Sequence, residues 1–133
     1  ADFQPHLCRG LFADPRNRIE FLRGSWIRPE DLARYEPYVP VVKLATRRHS
    51  HPRMVIGAYA VGHFERNLAD LTEPGFAQEF APFILDNRRF PADWHSVAGA
   101  CATHCTHCGR CEAVLRQVLV NPGAPETAAQ APS

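Results

Sequence analysis

Four cysteines, Cys101, Cys105, Cys108 and Cys111, stand within eleven residues of a 133-residue chain, and a fifth, Cys8, stands alone far upstream. Neighbours this close make poor disulfides, because a bridge stabilises mainly by closing a long loop of the unfolded chain. Four soft thiolates in one loop are instead suited to wrapping a compact inorganic core. Iron–sulfur clusters are held in this way, with short spacers between the thiolates and a glycine, here Gly109, easing the backbone around the sulfides. Structural zinc usually takes two separated knuckles. The compact spacing therefore favours a [4Fe-4S] cluster, with zinc as the alternative. His104 and His107 alternate with the thiols and keep that alternative open, as ligands or as solvent-side imidazoles.

The sequence after the cluster supports the first choice. Val114, Leu115, Val118 and Leu119 repeat at helical spacing over Glu112 to Val120, and Asn121-Pro-Gly stops the run. A helix starting near Cys111 aims its free N–H groups at an anionic cluster. Cys101, Cys105 and Cys108 also match the Cys-x-x-x-Cys-x-x-Cys spacing of radical S-adenosylmethionine enzymes. That motif normally opens a barrel and leaves one iron free, whereas a fourth thiol stands at hand here. Cys8 reads as a small buried apolar side chain, or, beside His6 and Arg9, as an exposed group or ligand.

Composition narrows the partners. Hydrophobic residues at 45% and charged residues at 22% are ordinary for a globular chain. Fifteen basic against fourteen acidic groups leave a net charge of +1, so nucleic-acid binding has no global electrostatic footprint. No apolar run approaches the roughly 20 residues of a membrane span. Thiols that must stay reduced until a cluster is inserted imply a cytoplasmic setting.

The rest of the chain divides into short elements. Arg18 to Leu22 reads as a short strand, and Pro29 opens a helical turn that Pro37 ends. Val39 to Leu44 is β-branched and short, as a buried strand would be. Pro52 is placed to start a helix with Val55, Tyr59 and Gly62 on one stripe and Met54, Ala58 and Val61 on its neighbour. A loop follows from Thr72 to Pro82, then an extended Phe83 to Leu85, and helical turns over Pro91 to Ala98 that carry Trp94 inward. The expected class is α/β: a βα segment over residues 1–71, a small helical cysteine-rich module over 72–120, and an unstructured tail over 121–133.

Several motifs in this order resemble a known family. Trp26-Ile-Arg-Pro-Glu-Asp-Leu32 is followed by Lys43-Leu-Ala-Thr-Arg47 after the second strand, Asn67-Leu-Ala-Asp-Leu71, Leu85-Asp-Asn87 and the cysteine-rich end. Together they resemble the C-terminal portion of barrel proteins related to the collagenase-like peptidases (peptidase family U-thirty-two). Relatives are described as peptidases or as oxygen-independent hydroxylating enzymes acting on RNA or quinone precursors, several with [4Fe-4S] clusters. The resemblance implies a partial (β/α) barrel. A complete one needs about 250 residues. The rest would come from a partner chain or a second copy, which makes this chain an iron–sulfur subunit or module of a larger redox or hydroxylase-type enzyme complex, or, in the alternative, a zinc-stabilised binding module without catalysis. It also implies that residues ending or following the strands face one rim. Arg28, Lys43 and Arg47 would meet there and grip a carboxylate or phosphate. The plainer reading is that Glu30 and Asp31 complement a helix dipole and Lys43 is a strand-end side chain.

Overall fold

The computed structural model describes residues 7–24, 26–72, 76–99, 101 and 105–124. Helices dominate it. The helix α1 (Leu7–Ala13) is followed by a 3-10 turn at Pro15–Asn17, where Asp14 caps the turn by accepting from the Arg16 N–H. Helix α2 (Ile19–Arg23) comes next and ends at Gly24. A second 3-10 segment, Pro29–Tyr35, begins with proline at its first position, as its fixed φ favours. Helix α3 (Pro52–Val61) starts on Pro52 and ends on Gly62, whose φ of 72° is open to glycine at little cost. After a 3-10 turn at Leu68–Leu71 come α4 (Phe76–Phe80), β1 (Ile84–Leu85), a turn at Asn87–Arg89, and α5 (Trp94–Gly99). The chain closes with α6 (Cys105–Cys108), α7 (Arg110–Val118) and β2 (Leu119–Val120).

The two short strands pair antiparallel, Ile84 opposite Val120 and Leu85 opposite Leu119. They bring the end of α7 against the middle of the chain. One core joins all of this. Phe12 and Phe80 stack at 5.8 Å, and Phe21 meets Phe80 edge-on at 5.4 Å. Trp26 stacks on Trp94 at 6.0 Å and donates its indole N–H to the Phe21 carbonyl at 2.6 Å. Leu85, Phe80 and Val118 are fully buried. Each such side chain contributes roughly 1.5–3 kcal/mol by leaving water.

Polar groups hold the connections between these helices. Glu30 accepts from the Phe64 backbone N–H at 2.7 Å and from the Asn87 side-chain amide at 2.9 Å. Asn87, itself buried, also donates to the Phe64 carbonyl at 2.7 Å. Asn67 caps the Leu68–Leu71 turn and accepts from the Leu85 N–H at 3.0 Å. Three segments distant in sequence are thus laced by three side chains.

Three expectations need correction. Arg18 to Leu22 is not a strand, because α2 covers Ile19–Arg23. Phe21 and Leu22 are adjacent and both buried, which a one-sided strand would not allow and a helix packed on two neighbours does. Val39 to Leu44 is extended but not buried: Val41 is 80% exposed, and the segment pairs with no strand among the described residues. The stretch read as a loop after Thr72 contains α4. Elsewhere the turn at Pro29, the helix from Pro52, the extended Ile84–Leu85, the inward Trp94 and the helix after Cys111 match the expectations. Residues 125–133 of the expected tail lie outside the described residues, as does the side chain of Cys8.

Removing the Asn87 amide leaves the Phe64 carbonyl without this donor and the partly buried Glu30 carboxylate with only the Phe64 N–H of its two. Asn87→Ala is expected to cost about 2–3 kcal/mol, read as a lower urea midpoint at unchanged slope. A second expectation concerns acid. Arg88 beside Asp86 holds its carboxyl below the ordinary 3.8. A folded pKa below the unfolded one means stability that is present above the unfolded value and lost as pH falls through the folded one. Asp86→Asn should therefore flatten the acid limb of the stability profile below about pH 4, and an unchanged limb would contradict this.

Candidate metal centre

The four C-terminal cysteines are free thiols at one end of the molecule, Cys101 and Cys108 exposed, Cys105 and Cys111 partly buried. Cys105 and Cys108 are three apart in α6 and so share a helical face. Gly109, at φ 62°, then turns the chain into α7 without the cost another residue would bear. It is also the N-cap of α7 and has no side chain to cover the helix end. The amides there are left for a ligand-bearing loop.

Cys111 sits differently from the others. It begins the apolar face of α7, followed at helical spacing by Val114, Leu115 and Val118, and packs against the core. Burial pushes its thiol pKa up. The Arg23 guanidinium pulls it back, and the charges of Cys101, Glu112 and Cys105 push it further up. Arg23 is itself held by two carboxylates, Glu20 at 2.7 Å and Glu112 at 2.8 Å, so α2 delivers a fixed cation near Cys105 and Cys111.

The donor set suits a soft metal or a cluster: four thiols, one neighbouring cation and a helix end without a side-chain cap. Among the described residues, no three His, Cys, Asp or Glu side chains stand close enough to hold a metal ion. Ligation requires the loop from Cys101 to Cys108 to draw its thiols together. His104 lies outside the described residues, and His107 is exposed.

The three basic residues expected at a rim are not brought together as an anion grip. Arg28 is buried, pairs with Asp31 at 2.7 Å, and lies over the Phe90 ring at 5.1 Å. Both its charge and its fork are committed inside the fold. Asp31 therefore serves this pair, and Glu30 serves Phe64 and Asn87, in place of a helix dipole. Lys43 and Arg47 are exposed on and just after the bare extended segment. His63 is exposed and bonds Glu65 at 3.0 Å. Sequence reasoning missed the lacing roles of Glu30, Asn67 and Asn87. The Asx caps at Asn67 and Asp86 were signalled by Asn or Asp opening a short turn.

Comparison with known proteins gives one informative likeness. The chain is 31% identical over 126 residues to the uncharacterized protease MJ1657 of Methanocaldococcus jannaschii, an alignment covering 89% of this chain and 35% of that protein. The chain spans about a third of the relative's length. No family model matches, and no solved structure does. No helix among the described residues is long and apolar enough to cross a membrane.

The thiol environments differ enough to be read chemically. In reduced, metal-free protein near pH 8, iodoacetamide is expected to alkylate exposed Cys101 and Cys108 several-fold faster than Cys111, whose thiolate is disfavoured by burial. Mass mapping of a time course checks the order. Cys111 reacting first would contradict the environment described.

Proposed function

We propose that this chain is an iron–sulfur module of a longer protein related to the collagenase-like peptidases, with Cys101, Cys105, Cys108 and Cys111 holding one [4Fe-4S] cluster. The observation that carries the proposal is four free thiols within eleven residues leading into the uncapped start of α7, with Arg23 near Cys105 and Cys111. Such a set has little use as disulfides and the right chemistry for a cluster, whose anionic core is stabilised by amide donors and a nearby cation. Bound there, a cluster would supply electron transfer or rigidity. The chain's own residues would anchor it: Cys111 from the core face of α7, Cys105 and Cys108 from α6, and Arg23 from α2.

The longer protein is supported by two independent facts. The relative is a protease by name and extends well beyond the matched region. The segment from Val39 to Leu44 also pairs with no strand among the described residues and leaves its valines in water, with Val39 at 41%, Val41 at 80% and Val42 at 42% exposure. Apolar strands of this kind need neighbours. In this reading the segment is one strand of a (β/α) barrel whose other strands lie in the remaining polypeptide, in a partner chain or in a second copy. Lys43 and Arg47 then stand at its carboxyl end, where barrels build their active face. The redox or hydroxylation chemistry belongs to that completed assembly, in a reducing compartment such as the cytoplasm.

Protein prepared anaerobically is expected to be brown, with iron and acid-labile sulfide. Changing any one of the four cysteines to Ser should remove most of the iron and the broad visible absorption, while Cys8→Ser leaves both in place. Stoichiometric zinc without iron in such material would replace the cluster with a structural zinc site. Full iron retention in the four single variants would overturn the ligand assignment.

A further inference from the structure

A cleft of about 420 Å³ lies between the turn that precedes α3, the start of α3 itself, the Leu68–Leu71 turn and α4. No cysteine lines it. Its polar walls are His49, Ser50, His51, Arg66, Asp70 and Gln78, and Met54 and Ala77 add an apolar side.

His49 builds this cleft and is used up in doing so. One ring nitrogen, Nδ1, accepts from the His51 backbone N–H at 2.9 Å, and the other, Nε2, donates to the Asp70 carbonyl at 2.8 Å. A ring that accepts at one nitrogen and donates at the other is neutral, with its tautomer set by its partners. It ties the turn before α3 to the turn carrying Asp70. The Ser50 hydroxyl bonds the His51 ring at 3.0 Å and fixes a second imidazole at the mouth.

Two groups in the cleft are left over. The Asp70 carboxylate and the Arg66 guanidinium make no side-chain hydrogen bond or ion pair among the described residues, although opposite charges line one cavity. Asp70 is half-buried, and this burial pushes its pKa up against the pull of the Arg66 guanidinium. A carboxylate that has lost water and gained no donor is an unfavourable arrangement. A cationic group entering the cleft would relieve it. An anionic group would find Arg66 and the one donor that the hydrogen-bonded Ser50–His51 pair has to spare.

We propose that this cleft binds a free α-amino acid as a zwitterion, its ammonium on Asp70 and its carboxylate on Arg66 and the remaining donor of the Ser50–His51 pair. The volume lies within the range of small-ligand pockets, and Met54 with Ala77 offers an apolar wall to the ligand's side chain. The site is independent of the cysteines, so it stands or falls apart from the cluster.

The test is a titration of the full chain with the common α-amino acids, followed by NMR shifts or calorimetry. For the best binder, two analogues are compared: the acid lacking the amine and the amide lacking the carboxylate. Saturable binding of the amino acid is expected, with each analogue at least roughly tenfold weaker, as the loss of a charged hydrogen bond implies. Asp70→Asn and Arg66→Gln should each weaken binding by a similar factor. Neither side chain holds the fold together, and unchanged thermal melting verifies this. Should a variant fail to fold, the analogue comparison on the unaltered chain decides alone. Absence of any binding at about 10 mM ligand, weaker than millimolar recognition, would overturn the proposal. So would an amine-free acid binding as tightly as the amino acid, which marks a plain anion site, or an amide doing so, which marks a cation site.

Discussion

The Glu30 carboxylate ties three segments of this fold that are far apart in sequence. It reaches across the chain to the Phe64 N–H and the Asn87 amide, while Asn87 returns a bond to the Phe64 carbonyl. Short helices of five to ten residues have little stability of their own. They persist here because buried aromatic rings hold their faces and because this polar lacing fixes the loops between them. The lacing works only in a site that excludes water, where hydrogen bonds to a charge are worth more and an unmade one costs more. Next to it, the buried Arg28–Asp31 pair under Phe90 is weak ground for stability by itself. Loss of either partner would nevertheless leave an uncompensated charge inside.

This explains why the motifs that carry the family resemblance look as they do. Arg28, Glu30 and Asp31 from the first motif, Asn67 from the third and Asp86-Asn87 from the fourth all meet in one hydrogen-bonded region. They organise the scaffold. A reading that sends Arg28 to a substrate rim takes a structural residue for a functional one. Lys43 and Arg47, in the second motif, are the ones left facing outward.

Much of the fold was legible where local chemistry decides it. Proline at the start and glycine at the end delimit α3, and the apolar spacing of Val114, Leu115 and Val118 marks α7. The cysteines declared the candidate metal centre by spacing alone. What stayed hidden depends on distant partners. Arg18 to Leu22 carries no periodicity that separates a short strand from a short helix, and packing of Phe21 and Leu22 against Phe80 and α7 settles it. Val39 to Leu44 has a strand's composition without a strand's neighbours among the described residues. Glu30 gave no sign of its role, since its partners lie 34 and 57 residues away. The cleft at Asp70 was equally hidden, because His49 closes it through a bond to a backbone carbonyl 21 residues on.

The central claim is that four thiolates of this chain hold one iron–sulfur cluster. Mössbauer spectroscopy of protein isolated anaerobically from cells grown on iron-57 tests it most directly. The account predicts a spectrum of tetrahedral, sulfur-ligated iron accounting for about four iron atoms per chain, as one cubane cluster requires. A preparation whose metal is a single zinc, with no sulfur-ligated iron signal, would contradict it.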